Sequence, residues 1–324
     1  MDVVLFHNAK AGDKEYSPFK LEKLLRSQGH KPKYFPLKEA MRDKRLFKEA
    51  LKYAKTIVVA GGDGSIRKVA LRLVGSKHAI APLPLGTANN IARALGINGT
   101  PAEIVAGWAK PEYRKIDVGV AKGPWGEKYF IEAMGMGLIG RAIAIIDDID
   151  AISGRVFSTK EDKLHRDLCV MAALAHEMPA THAEVSVKGN KISDDYLLLE
   201  VLNINRAGPG LELAENADPG DGKLDLVWAT EMERRKLSES IERCLSDSKF
   251  RPTLDSQRIT KVRLAVRKCE LRLDDKVVLR SEDFGKWTKD SEVEIEIRIE
   301  PGAVEFMLPG SKTKKQKADR AGEN

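Results

Sequence analysis

Five consecutive residues, Gly61-Gly62-Asp63-Gly64-Ser65, set three glycines, a carboxylate and a hydroxyl between two apolar patterns. Thr56–Ala60 before them reads as a buried β run, and Ile66–Val74 after them carries helical apolar spacing. Glycine tolerates positive φ and lets backbone N–H groups come close to phosphate oxygens. A helix starting near Ser65 adds its positive end, worth about 0.3–1 kcal/mol toward an anion. Asp63 is suited to Mg²⁺, directly or through water, because that ion prefers oxygen ligands. A plain strand-to-helix turn is the competing reading, and the Asp and Ser within the glycines speak against it. The loop is neither G-x-G-x-x-G nor a Walker A sequence, which needs a lysine that is absent here.

A second loop of the same kind runs Pro84-Leu85-Gly86-Thr87-Ala88-Asn89-Asn90. It follows the short strand Ala79–Leu83 and opens a helix over Ala88–Leu95, with Gly96 as its C-terminal stop. Thr87 and Asn89 can cap that helix or bond phosphate. Two such loops at one sheet edge predict a single phosphate cradle.

The elements that hold these loops alternate strand and helix. Val3–Phe6 reads as a buried parallel strand and Pro18–Ser27 as an amphipathic helix. Residues 1–118 therefore predict a doubly wound parallel sheet, which binds ligands at the carboxyl ends of its strands. Beyond residue 118 the pattern changes. Glu184–Lys188, Tyr196–Leu202, Leu224–Trp228, Val262–Val266, Leu271–Leu273 and Val293–Ile299 read as strands, several with one wet face. Leu164–His176, Glu231–Cys244 and Ala142–Ile149 read as helical. The expected organisation is an α/β domain over 1–118, completed by 303–324, and a β-rich domain over 119–302. Phe306 and Leu308 are the expected apolar anchors of the returning end.

Composition narrows the classes. The chain has 324 residues, a formal net charge of +7 and a pI near 9.1. Its balance of 42% hydrophobic and 32% charged residues reads as soluble and globular. No apolar run approaches the roughly 20 residues of a membrane helix, and Met1–His7 reads as a first strand, not a signal peptide. Cys169, Cys244 and Cys269 are scattered, which predicts buried thiols in a reducing cytoplasm. The six histidines show no paired metal-ligand spacing, and Asp147, Asp148 and Asp150 read as a solvated helix end. The basic charge suits an acidic partner. Lys312–Lys317 reads as a solubilising tail able to touch an anionic membrane, at about 1 kcal/mol per basic residue. Nucleic acid is not an expected partner, since no aromatic ladder accompanies the charge.

Together, G-G-D-G-[ST] and P-L-G-T-x-N-[DN]-x-A-R resemble the catalytic domain of the diacylglycerol and sphingosine kinase superfamily, in particular its bacterial lipid kinases. NAD kinases and phosphofructokinases share the first motif. The resemblance continues through Asn8-Ala9-Lys10-Ala11-Gly12, Lys115-Ile116-Asp117-Val118-Gly119, Phe130–Gly135 and Asn203–Gly222. It implies an NAD-kinase/phosphofructokinase-like α/β domain, an antiparallel β-sandwich, and a nucleotide in the cleft. It implies ATP on Asn8, the Gly61–Ser65 loop, Gly86, Thr87 and Asn89, with Mg²⁺ near Asp63 and Asp117. It also implies a structural Mg²⁺ held by the Asp221 side chain and the carbonyls of Asp218 and Lys223.

The sequence departs from the family at Asn90, often Asp, at Phe35-Pro36-Leu37, where a threonine is missing, and at Leu273-Asp274-Asp275-Lys276. There the family's D-G-E supplies the glutamate that deprotonates the acceptor hydroxyl, and Lys276 stands in its place. Asp274 or Asp275 then inherits that role, with Glu282 and Asp283 behind them. The expected function is transfer of the ATP γ-phosphoryl group to a hydroxyl of diacylglycerol or a related lipid at the membrane surface, with a homodimer possible. A silent nucleotide- or lipid-binding homologue and a kinase for a soluble acceptor such as NAD are the alternatives.

Overall fold

Strand β3 (Thr56–Gly61) is buried at every position, as an apolar run must be when both faces of a parallel sheet are covered. A computed structural model describes residues 1–9, 11, 16–153, 159–284 and 292–310. Its contacts divide the chain into two units, 1–116 with 304–324, and 117–303.

In the first unit β1 (Asp2–His7) is followed by α1 (Pro18–Ser27), β2 (Lys31–Pro36), α2 (Leu37–Arg42) and α3 (Lys44–Tyr53). After β3 come α4 (Asp63–Arg72), β4 (Ala79–Pro84), α5 (Asn90–Ala94) and α6 (Pro101–Gly107). The strands run parallel in the order β2-β1-β3-β4. Ser17 caps α1 through the Lys20 amide, Asp43 caps α3, and Thr100 with Glu103 forms a capping box on α6. At the far end of the chain, Glu305 and Phe306 lie parallel to Ala79 and Ile80 of β4, with Phe306 fully buried.

Two strands, β5 (Glu112–Gly123) and β17 (Glu292–Leu308), carry the chain from one unit into the other. The second unit contains, in chain order, β6 (Gly126–Phe130), β7 (Ala133–Gly137), α7 (Leu138–Ser153), α8 (Lys160–Glu177), β8 (Thr181–Val187) and β9 (Asn190–Leu202). The short strands β10 (Arg206–Ala207) and β11 (Leu211–Glu212) pair with each other. Then follow β12 (Leu224–Thr230), α9 (Arg234–Ser246), β13 (Asp255–Ile259), β14 (Lys261–Arg267), β15 (Leu271–Leu273) and β16 (Lys276–Leu279). All registered pairings among these strands are antiparallel. Strand β14 alternates exposed and buried residues along its length, the pattern of a sheet with one wet face. One core lies among the strands and includes Phe130, Val201, Leu264 and Ile295. A second joins the other face of β7, β9 and β12 to the three helices through Leu138, Met171, Leu198 and Ile241.

Candidate functional site

The register of β3 and β4 sets Gly61 opposite Pro84, so the two glycine loops leave the sheet side by side. The Leu85 amide donates to the Gly61 carbonyl at 2.9 Å. One step further the backbones touch. A Cβ on Gly86 would stand 2.4 Å from the Gly62 Cα, and one on Gly62 would stand 2.9 Å from the Gly86 Cα. Only glycine fits at both positions. Asp63 is the first residue of α4, and its Oδ1 accepts from the Ile91 amide at 2.9 Å. Its carboxylate thus ties one loop to the helix that follows the other. Beneath the first loop, Ser65 is buried and its hydroxyl accepts from Asn8 Nδ2 at 3.2 Å. The cradle therefore uses β1, β3 and β4 together.

Three local expectations change. Helix α4 begins at Asp63, two residues before Ser65. The second helix is one short turn and a half, Asn90–Ala94, so it offers little dipole to an anion. Asn89 does not reach outward. It has φ 51°, and its side chain closes its own loop by accepting from the Gly86 amide at 2.9 Å and donating to the Gly86 carbonyl at 3.0 Å. Thr87 remains half-buried on the rim. Lys10 and Gly12 of the first family motif lie outside the described residues, as does the basic stretch 312–317.

Of the six histidines, His7 takes a core position. It ends β1, directly before Asn8, and is 3% exposed. Neither ring nitrogen has a hydrogen-bond partner among the described residues, and burial holds its pKa below the usual value. Arg67 was passed over. It is buried one helical turn after Asp63, on the same face of α4. The sequence signal was available in both cases: a polar residue at a position the apolar pattern assigns to the core.

In the second unit Asp117 is 2% exposed and both carboxylate oxygens are engaged. Oδ2 accepts from the Gly222 amide and Oδ1 from the Gly302 amide, each at 2.7 Å, while its own amide donates to the Pro219 carbonyl at 2.6 Å. Asn203 Nδ2 adds bonds to the carbonyls of Asp117 and Ile131 at 3.0 and 2.9 Å. Asp274 shows the same economy. It is 4% exposed, and its Oδ1 accepts from the amides of Ile131, Glu132 and Ala133 at 3.1, 2.7 and 3.2 Å. Its amide donates to the Ala133 carbonyl at 2.7 Å. Asp275, next in the turn between β15 and β16, and Lys276, the first residue of β16, are exposed.

Residues 2–121 match the family model described as the diacylglycerol kinase catalytic domain, and residues 150–307 match the YegS C-terminal NAD kinase beta sandwich-like domain. Residues 2–121 carry the diacylglycerol kinase catalytic domain. Among curated relatives, "Probable lipid kinase YegS-like" of Pseudomonas putida is 33% identical over 198 residues, which cover 58% of this chain and 61% of that protein. "Diacylglycerol kinase" of Bacillus subtilis is 30% identical over 188 residues, covering 55% and 56%. The match thus spans less than two thirds of the length of these relatives. The crystal structure of a diacylglycerol kinase from Bacillus anthracis str. Sterne superposes with a TM-score of 0.64 at 17% identity, covering 95% of this chain and 96% of that one. A second structure from the same organism gives 0.70 at 18% identity. At these identities the likeness speaks to the fold.

The family also implies ligands, and the two units receive them differently. In the first unit the residues fit a phosphate-bearing ligand. Glycine at 62 and 86 lets the two loop backbones meet, which leaves their amides side by side, and Asp63 would add one carboxylate for a magnesium ion that keeps most of its waters. In the second unit the acidic side chains at the expected cation site are engaged by protein groups. The Asp221 Oδ2 is bound by the guanidinium of Arg258, and its Oδ1 accepts from the Lys223 amide at 2.9 Å. Asp218 Oδ1 accepts from the Gly220 amide at 2.8 Å, and the Asp218 carbonyl from the Asp221 amide. No cluster of three or more His, Cys, Asp or Glu side chains suited to a metal occurs among the described residues. At the expected site on Asp218, Asp221 and Lys223, the Asp221 carboxylate pairs with Arg258. Asp117, expected near the catalytic ion, ties two backbone amides together, one on each carboxylate oxygen. Asp274, expected as a proton acceptor, has its carboxylate engaged by three backbone amides.

Proposed function

We propose that this chain is a lipid kinase that transfers the γ-phosphoryl group of ATP to a hydroxyl of diacylglycerol or a related lipid. The observation that carries the reading is the Gly62–Gly86 backbone contact, which joins two phosphate-type loops into one cradle in a chain whose first 121 residues match the diacylglycerol kinase catalytic domain. ATP supplies the phosphoryl group, and a Mg²⁺ held near Asp63 would offset its charge. The amides of the Gly61–Ser65 loop and the Thr87 hydroxyl hold phosphate oxygens, and Asp63 faces the ion. Such transfers depend on positioning and charge neutralisation more than on covalent help. Asp275 takes the hydroxyl proton as the acceptor oxygen bonds to phosphorus and the bond to the leaving diphosphate breaks. It is preferred over Asp274 because it is exposed and Asp274 is locked on backbone amides.

No helix among the described residues is long and apolar enough to cross a membrane. A lipid acceptor calls for peripheral contact with a membrane surface. A second reading, a silent nucleotide- or lipid-binding homologue, is favoured by Lys276, because a protonated amine cannot remove a proton and general-base help contributes about 10²–10⁴-fold. Mg²⁺-dependent transfer of labelled γ-phosphate to a lipid panel in mixed micelles separates the two. Labelled lipid that disappears in Asp63→Ala supports the kinase. Nucleotide binding without any labelled lipid supports the silent homologue and defeats the kinase reading.

A further inference from the structure

Gly135 lies in the middle of β7, where every residue is buried. The register sets it opposite Glu200 of β9 on one side and opposite Arg272 of β15 on the other. Directly paired residues share a face, and strands lie about 4.8 Å apart, so Glu200 and Arg272 start roughly 10 Å from each other across the glycine. The side-chain space over Gly135 belongs to them. A Cβ there would stand 1.8 Å from Glu200 Oε2. Through that gap Arg272 Nη2 reaches Glu200 Oε2 at 2.6 Å and Nε reaches Oε1 at 3.2 Å. The side chains are 1% and 0% exposed.

A buried ion pair of this kind is poor stabilisation. Removing both charges from water costs about as much as their attraction returns, and apolar replacements are often neutral or better. What sets this pair apart is its third bond. Arg272 Nη1 donates to the Asp274 carbonyl at 2.6 Å. Asp274 has φ 54°, a left-handed conformation that costs a non-glycine residue of order 1 kcal/mol or more. Rotation of the peptide between Asp274 and Asp275 would redirect everything beyond it in the turn. Its carbonyl end is held by Arg272, while the Asp274 carboxylate and amide are held by residues 131–133.

We propose that the Glu200–Arg272 pair is a positioning device that locks the Asp274–Asp275 peptide and thereby aims the Asp275 carboxylate. Its role in catalysis rests on the kinase reading above; the clamp itself does not. Glu200 orients the guanidinium, Gly135 leaves room for the fork, and Arg272 fixes the carbonyl. Neither charged side chain touches substrate.

The test is the double variant Glu200→Leu/Arg272→Met, which substitutes an apolar pair and so keeps the core filled. Melting is followed together with amide hydrogen exchange at Ile131, Glu132, Ala133 and Asp275. The expected result is a melting temperature at or above wild type with exchange at these amides faster by at least about tenfold. Unchanged exchange would overturn the clamp. Arg272→Lys keeps the charge without the fork and should recover part of the protection; full recovery would show that the charge alone suffices and would also count against the clamp.

The catalytic part is read with ATP and diacylglycerol in mixed micelles. The double variant should lose about 10–100-fold in kcat with KM little changed, and adding Asp275→Ala to it should cost little more. Full additivity of the two losses would overturn the link to Asp275. Wild-type protein with no transfer at all would instead sink the kinase reading, and the exchange data would still decide the clamp.

Discussion

Gly86→Ala tests the cradle most directly. The new methyl would stand 2.4 Å from the Gly62 Cα and 2.8 Å from Asn89 Oδ1. Carbon atoms in contact need about 3.5 Å, so the loops must part by about 1 Å. Neither neighbour can yield as a flexible side-chain tip would, because one is backbone and the other is bound to Gly86 at both ends. A shift of about 1 Å at a positioning group costs on the order of 100-fold in rate, whereas overpacking costs about 1–3 kcal/mol in stability. The variant should stay folded, bind ATP more weakly by calorimetry, and lose about two orders of magnitude in phosphoryl transfer. Gly75→Ala is the control. Gly75 has φ 71° with nothing within 4 Å of its Cβ position, so alanine there should lower the melting temperature and leave ATP affinity unchanged. A folded Gly86→Ala protein with wild-type ATP affinity and turnover would show that the contact between the loops has no bearing on nucleotide binding.

Three further outcomes are expected. Burial raises the Glu200 carboxyl from 4.5 to about 7 despite the adjacent guanidinium. The folded state then holds a proton that the unfolded chain releases, so this group's stabilisation is complete below pH 4.5 and is lost as pH rises to about 7, by up to about 3 kcal/mol. Urea denaturation across that window should show the decline, and Glu200→Gln should remove it. Divalent metal should not matter to the Asp218–Lys223 turn: melting of the nucleotide-free protein in EDTA and in millimolar Mg²⁺ should coincide, and stabilisation by Mg²⁺ that persists in Asp63→Ala would contradict the arginine–aspartate assignment. Asp274→Ala strands three buried amides at about 1–3 kcal/mol each and should destabilise severely in urea titrations, while Asp274→Asn, which keeps one acceptor oxygen, should be milder; equal effects would refute the amide cradle.

Much of the scaffold is local information. The buried runs Val3–Phe6, Thr56–Ala60 and Ala79–Leu83 are strands because their residues are apolar without interruption. The helix Pro18–Ser27 is written in its cap and its spacing. Strand β2 carries little local signal, because Lys31, Pro32, Lys33 and Pro36 give it no apolar run, although β1 pairs along its whole length. Helix α6, about two turns long, has its start specified within four residues by the Thr100–Glu103 capping box.

The glycine loops were legible in the sequence because their chemistry lies within five or seven neighbouring residues, and the strands before them point them to one edge. What each carboxylate does was not legible. Asp274 meets amides more than 140 positions away, Glu200 meets Arg272 across 72 residues, and Asp221 finds Arg258 on a different strand. A sequence lists charges without their partners, and it is the partner that makes a carboxylate a base, a metal ligand or a structural tie. Residue type and spacing determined that this chain carries phosphate-type loops on an α/β scaffold. Tertiary structure decided which acidic side chains remain exposed and which are consumed in holding backbone, because strand register alone brings those distant groups within hydrogen-bond reach.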